Sequence, residues 1–435
     1  MRRRRFLIAT LVFVLLQPAM VFGQADRPQT LTLDEAEKIA IQNHPQIQAA
    51  AYLASAAKSQ VTEAKSAYYP AAYGSVTAVD AENNSRITAG ALNNPIIYDR
   101  YANGLTVTQL VTDFGRTHEL VKSSNYHAQA EQENVVTTRA DVLLAVDRAY
   151  FAVLKAQAVL TVAEQTVKQR QLVADQVTAL AQNQIKSGLD VSFANVDLAE
   201  AQLLLIQARN DLDASYAQLS AALGYADARK FQLTDQPIPN APPSDPNALV
   251  QQALQNRPEL ISQRLNSEAA HSYAAAERDL WFPTVSATGA AGLTPTGADQ
   301  LAPRYAAAGV NVSIPIFNGH LFGGLRSEAT SRARAEDEAL RDLQNRIVRD
   351  LRTAWLNANS AYQRLAVTDQ LLAQANLALD LATSRYKLGL SSIVELSQAQ
   401  LNQTQAQIAQ SGAKYDYQTR VSELNYQIGL LPSHF

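Results

Sequence analysis

The 435-residue chain has six histidines (His44, His118, His127, His271, His320 and His434) and no cysteine. No two of these histidines stand at a spacing that presents both to one metal ion. The absence of cysteine excludes disulfides, thiolate metal sites and cysteine nucleophiles. No Gly-rich phosphate loop, nucleophile elbow or carboxylate pair in a plausible cleft stands out. The residues therefore point away from an enzyme and away from any cofactor or metal. Chemistry of another kind is concentrated in two short segments. One is Ile185-Lys186-Ser187-Gly188-Leu189-Asp190; the other is Tyr386-Lys387-Leu388-Gly389-Leu390-Ser391-Ser392, with Glu395 just beyond. A Gly that tolerates left-handed backbone can end one helix, and a Ser can cap the next. An acid beside such a turn sits well at a helix start.

Long helices must position these segments. A seven-residue ladder, Leu351, Ala358, Leu365, Leu372, Leu379 and Tyr386, runs into the second segment with Ala354, Ala361, Thr368, Ala375 and Ala382 beside it. Rows spaced by seven and offset by three describe a helix lying along another helix. Beyond the turn, Ile393, Val394, Leu396 and Leu401 resume an apolar face for the return. A second ladder, Val146, Val153, Leu160, Val167 and Ala174, stands 205 positions earlier, and the stretch from Thr117 to Lys186 contains no Pro or Gly. A helix of that length measures about 105 Å. Two apolar rows without a thick core require neighbours on both sides, as in a ring of helices.

The repetition extends along the chain. Gln42-Asn43-His44-Pro45 matches Gln255-Asn256-Arg257-Pro258, and Tyr68-Tyr69-Pro70 matches Trp281-Phe282-Pro283, at an offset of 213. Ala149-Tyr150 matches Ala354-Trp355 and Leu219–Gly224 matches Leu424–Gly429, at an offset of 205. The expected division is a first repeat over 26–230, a Pro-rich linker over 231–247 and a second repeat over 248–435. Each repeat starts with two short helices, here Leu33 to Asn43 and Pro45 to Ala67. A pair of strands follows, expected at Tyr73 to Asp80 with Gly104 to Gln109, and at Thr284 to Thr294 with Ala308 to Ile316. In the last of these Val310, Val312 and Ile314 face one way and Asn311 and Ser313 the other. Such lengths suit tilted membrane-spanning strands, but four strands are too few to close a barrel alone.

Residues 1–25 read as a secretory signal peptide: Arg2 to Arg5, an apolar run from Phe6 to Leu16, and cleavage after Gly23 or Ala25. Arg3 to Leu7 also loosely fits a twin-Arg export signal. The formal net charge is −3, and loss of Arg2 to Arg5 leaves 33 basic against 40 acidic residues, or −7. That balance gives no support to nucleic-acid binding. No other stretch is apolar for long enough to be a transmembrane helix, so any membrane crossing must use strands.

This ordered set resembles the TolC-like outer membrane efflux proteins (outer membrane factors), and the resemblance covers essentially the whole mature chain. It is carried by the signal peptide, the duplicated plan of helix, strand pair, long helix and return helix, Pro70 and Pro283, and Gly-Leu at both helical tips. The resemblance implies a mainly α fold with a small β part, in which duplicated helical hairpins form a trimeric α-helical barrel topped by a transmembrane β-barrel with four strands per chain. It implies a homotrimer in outer-membrane lipid with a long periplasmic extension. As partners it implies a periplasmic adaptor and an inner-membrane pump, the protein serving as passive exit duct of a tripartite efflux or type I secretion system. An aromatic three before the tip Gly and an acid six after it make Tyr386 and Glu395 the gate candidates. Asp197, the nearest acid on the first return helix, joins them. Gly188, Leu189, Asp190, Gly389, Leu390 and Ser391 become the adaptor-contact tips. Two positions depart from the family's pattern: Ser391 where a basic gate residue is expected, and Gln398 where a second acid is expected. The first tip also carries extra residues around Asp190 to Asn195. From the residues alone, a secreted coiled-coil structural protein without a membrane barrel is the competing reading, followed by a periplasmic binding module or enzyme.

Overall fold

The computed structural model describes residues 30–82, 84–86 and 96–431. The expected signal segment lies outside the described residues. The chain begins with strand β1 (Thr30–Leu31), helix α1 (Leu33–Asn43) and helix α2 (Pro45–Lys65), then strands β2 (Ala71–Val79) and β3 (Arg100–Thr112). Helix α3 (Arg116–Gln182) and its return α4 (Gly188–Ala222) follow, then β4 (Gln232–Leu233), α5 (Asn247–Asn256) and α6 (Pro258–Arg278). Strands β5 (Thr284–Gly297) and β6 (Arg304–Ser313), helix α7 (Leu321–Lys387) and its return α8 (Ile393–Ile428) complete it.

The helix boundaries have local causes. Thr32 caps α1 in a capping box with Glu35, and Pro45 and Pro258 occupy the first turns of α2 and α6, where a missing N–H costs nothing. With 67 residues each, α3 and α7 are about 100 Å long. Near the strands, α2 and α6 flank α3, and α6 also touches α7. Further away, α4 takes the place of α2 and α8 that of α6. The handover is end to end. Gly224, at the end of α4, has a left-handed φ of +84° and sits so close to the start of α2 that a Cβ would lie 2.9 Å from the Asn43 carbonyl oxygen. Gly429, at the end of α8, sits in the same way on Asn256, the last residue of α5, just before α6.

Apolar packing concentrates where these helices change over. Val146, Tyr150, Val153, Leu219 and Leu223 are fully buried in one cluster, and Ile347, Leu351, Leu424 and Ile428 are buried in another. Of the sequence ladder, the small row (Ala361, Thr368, Ala375, Ala382) is buried while Leu365, Leu372 and Leu379 are half-buried. The small residues let the helices approach, and the leucines sit at the flank. The Pro-rich stretch is strapped down here rather than loose. β4 pairs in parallel with β1, and the Tyr150 hydroxyl donates to the Leu31 and Thr234 carbonyls at 2.9 and 2.6 Å. Trp355 Nε1 donates to the Pro243 carbonyl at 2.8 Å and Tyr417 to that of Asn240 at 2.5 Å. The same region buries two acids, Glu37 of α1 and Asp147 of α3, at 8% and 2% exposure. Burial, then the facing Asp147, pushes the Glu37 carboxyl up to about 9, and burial also raises Asp147.

The four long strands form one antiparallel sheet in the order β2-β3-β5-β6, leaving β2 and β6 as its two edges. Register sorts the faces. Ala72, Gly74 and Val76 of β2 share one face with Leu105 and Val107 of β3, Val285 and Ala287 of β5, and Val310 and Val312 of β6. The other face carries Ser75, Thr106, Thr108, Thr288, Ser286 and Asn311. The first face also holds Asn103 and Gln109, and the second Tyr73, Leu110 and Tyr305, so the sheet is mainly apolar on one side and mainly polar on the other, as expected of a barrel wall between lipid and water. β3 starts four residues earlier than its alternation predicts and β6 ends earlier, because Pro315 removes a ladder donor just beyond Ser313.

Candidate functional site: the hairpin tips

The two tips of one chain lie side by side and are built from equivalent positions 205 apart. Ser187 and Ser392 are the N-caps of α4 and α8, and Asp190 and Glu395 are the acids three residues later. The reversal in the second tip is made by Gly389 (φ +74°), as expected. In the first it is made by Gln184 (φ +60°), at the same offset of 205. Gly188 is instead the first residue of α4, in open space, and is the counterpart of Ile393 rather than of Gly389. The matching Gly-Leu pairs are therefore not equivalent in the fold, and the offset of 205 passes through the first tip without extra residues. By that register Asp190, not Asp197, is the counterpart of Glu395.

The acids are held differently. The Asp190 carboxylate accepts from the Ser187 N–H at 2.9 Å and from the Ser187 hydroxyl at 2.8 Å, which keeps it below the usual range. Glu395 receives Arg385 Nε at 3.1 Å, while Arg385 Nη2 donates to the Leu390 carbonyl at 3.3 Å. Asp197 accepts from the Ser397 hydroxyl at 2.5 Å, a direct bond between α4 and α8. The neighbouring Arg170 of α3 is buried, and the charges of Asp197 and Glu200 partly offset the cost of burying its guanidinium.

Tyr386 is 8% exposed and packs with Val177, Ala382 and Leu396. Lys186 of the first tip places its ammonium 4.0 Å from the centre of the Tyr386 ring, a cation–π contact across the two hairpins. Burial, then the charge of Asp190, raises the Tyr386 hydroxyl. That hydroxyl and Ser391 Oγ are buried with no hydrogen-bond partner among the described residues. Leu189 and Leu390 are both 66% exposed at the ends of their hairpins. The structure thus joins Tyr386 to the first tip through Lys186 and joins Asp197 to the second hairpin through Ser397. Glu395 is tied within its own tip. Lys186, Arg385 and Ser397 carry contacts that the ladder and the tip motif did not single out, because seven-residue spacing reports packing along a helix, not which tip residues face one another.

No helix among the described residues is long and apolar enough to cross a membrane, and no group of three potential ligands could hold a metal ion. Residues 38–225 and 249–430 match the outer membrane efflux protein family. The chain belongs to that family. It is an outer membrane exit channel for efflux and not an enzyme, with a long helical part reaching into the periplasm. The channel is 25% identical to outer membrane protein TolC of Escherichia coli K12 over 354 residues, covering 76% of this chain and 71% of that one. It is also 25% identical to the efflux protein BepC of Brucella suis over 416 residues, covering 93% and 86%. Among solved structures, VceC of Vibrio cholerae superimposes with a TM-score of 0.79 at 18% identity, over 91% of the channel and 96% of VceC. The open state of MtrE of Neisseria gonorrhoeae gives 0.74 at 18% identity, over 92% and 89%.

Proposed function

We propose that the channel is a homotrimeric passive duct in which three chains close one twelve-stranded barrel in outer-membrane lipid and one periplasmic ring of helices. The open sheet carries this reading. A four-stranded sheet with an apolar face and two unpaired edges leaves backbone donors and acceptors unsatisfied in lipid until β2 of one copy meets β6 of the next. Each chain consists of two repeats, 26–230 and 248–435, joined by the linker 231–247. A periplasmic adaptor docks on the tips, through Gly188, Leu189, Asp190, Gly389, Leu390 and Ser391, and connects the duct to an inner-membrane pump that supplies the energy. Nucleic acid has no part in this cycle.

In this reading the tips form the gate. Lys186 on Tyr386 and Ser397 on Asp197 hold the two hairpins of a chain together, and Glu395 with Arg385 sets the charge at the mouth. One cation–π contact and one charged hydrogen bond per chain are worth about 1–3 kcal/mol each, small enough for adaptor binding to shift the balance. The test is the current through single channels in planar bilayers. Tyr386→Ala and Lys186→Gln each raise open probability several-fold. Currents equal to the parent's in both variants remove these two residues from the gate.

A further inference from the structure

A cavity of about 580 Å³ opens between the two tips of a single chain. That volume lies in the range of sites for small organic ligands. Its wall is mixed, only slightly more apolar than polar, and Val177, Leu180, Ile185 and Leu396 form the apolar part. The polar groups that line it are of a particular kind. Lys186 and Lys387 are both there, and no acidic residue lines the cavity. Asp190, whose charge reaches Tyr386, is already engaged by Ser187. Two further lining side chains, Tyr386 and Gln400, are each 8% exposed. The Tyr386 hydroxyl and Gln400 Oε1 have no hydrogen-bond partner among the described residues. Both atoms are closed off as the side chains stand and meet a ligand only when the wall shifts, but buried polar atoms are almost always paired, so two unpaired ones beside one cavity indicate groups that something else completes.

The requirements can be stated as chemistry. Two ammonium groups and a phenol donor call for an anionic oxygen. Gln400 Oε1 calls for an N–H or O–H donor, and the apolar part of the wall for a ring system or short chain. We propose that this cavity binds an amphipathic organic anion, a carboxylate or sulfonate that also carries a hydrogen-bond donor, one per chain. Such a ligand draws Lys186 off the Tyr386 ring. Its effect on current, though not its binding, rests on the gate reading above.

The probe is 8-anilinonaphthalene-1-sulfonate, which has the ring system, the sulfonate and an N–H. It is titrated by fluorescence against the full channel in phosphatidylcholine nanodiscs, with empty discs subtracted. N-phenyl-1-naphthylamine, the same rings and N–H without the sulfonate, serves as the uncharged comparison. One saturable sulfonate site per chain is expected. Its affinity falls about tenfold or more in Lys186→Gln/Lys387→Gln, returns in Lys186→Arg/Lys387→Arg, and falls also in Gln400→Leu, whereas the uncharged amine is bound equally by the parent and the Gln variant. Sulfonate affinity unchanged by loss of both lysines overturns the proposal. So does tighter binding of the uncharged amine, which assigns the cavity to an apolar group, such as a side chain of a docking protein. The two readings fail separately: sulfonate binding without any change in current leaves the site standing and removes the gate, while raised current in Lys186→Gln without sulfonate binding does the reverse.

Discussion

Glu395 cannot be treated as a bare acid, because Arg385 Nε lies 3.1 Å from it and both side chains are about half exposed. Such a pair contributes little stability, but it sets the local field. Glu395→Gln leaves Arg385 unopposed and lowers cation preference, whereas Arg385→Gln frees the acid and raises it. Reversal potentials in a salt gradient read both, and shifts of the same sign in the two variants contradict the assignment. The buried acids Glu37 and Asp147 give a second prediction. Glu37 titrates at about 9 in the fold and near the ordinary carboxylate range when unfolded, so the folded chain binds more protons between those values. Stability is fully present below the unfolded value and is lost as pH rises toward 9. Apparent melting temperature at fixed scan rate therefore falls from pH 5 to 9, and Glu37→Gln flattens the fall; an unchanged slope assigns it to other groups. At this scale the sequence was only partly legible. Tyr386 and Glu395 stand out by their distance from a Gly, but Lys186 gains its role from the packing of one tip on the other and Arg385 from the fold of its own tip. Glu37 looks like an ordinary charge on a short helix until α3 covers it.

Among the elements, the long helices were the most legible part, since an unbroken stretch with rows spaced by seven leaves few alternatives. The tips were less so. A left-handed residue is required at both reversals, but Gln184 supplies one of them, and Gln carries no signal for that conformation. The nearby Gly188 carries that signal instead, although it is helical. This separates two glycines by experiment. Gly224 combines a left-handed φ with an Asn43 carbonyl oxygen 2.9 Å from where a Cβ would stand, so Gly224→Ala costs roughly 1–3 kcal/mol and loosens the junction of α4 and α2. Gly188 is helical with nothing within 4 Å. Gly188→Ala is neutral or stabilising by up to about 1 kcal/mol, and any loss of efflux in that variant reports on docking rather than folding. Thermal unfolding of the two purified variants, side by side, decides the matter. Equal destabilisation contradicts it.

At the scale of the whole molecule, the proposed assembly rests on what one chain lacks. Its four strands alternate well enough to reveal an apolar face, yet no residue pattern states how many copies close the sheet. The pairing of β1 with β4 is not legible in the sequence, because two residues carry no periodicity. Copy number is open to a direct measurement, helped by the absence of any native cysteine. Ser75 of β2 and Ala307 of β6 lie on the same, polar face of the sheet, by the registers Ser75 to Gly104, Gly104 to Gly292 and Ala290 to Ala307. Both are on edge strands, so within one chain two strands keep them apart. A protein carrying Ser75→Cys and Ala307→Cys, treated with a short flexible bismaleimide in the outer membrane, is expected to form covalent dimers and trimers and nothing larger. The single-cysteine proteins stay monomeric on a denaturing gel. A closed ring of three permits three links, so the trimer band splits into linear and circular forms as the reaction proceeds. A ladder that continues past three chains, or one that stops at a dimer, requires a barrel with a different number of strands. Reaction confined to single chains means instead that β2 and β6 close on each other. That outcome removes the shared barrel, and with it the reason for the three sets of tips to meet.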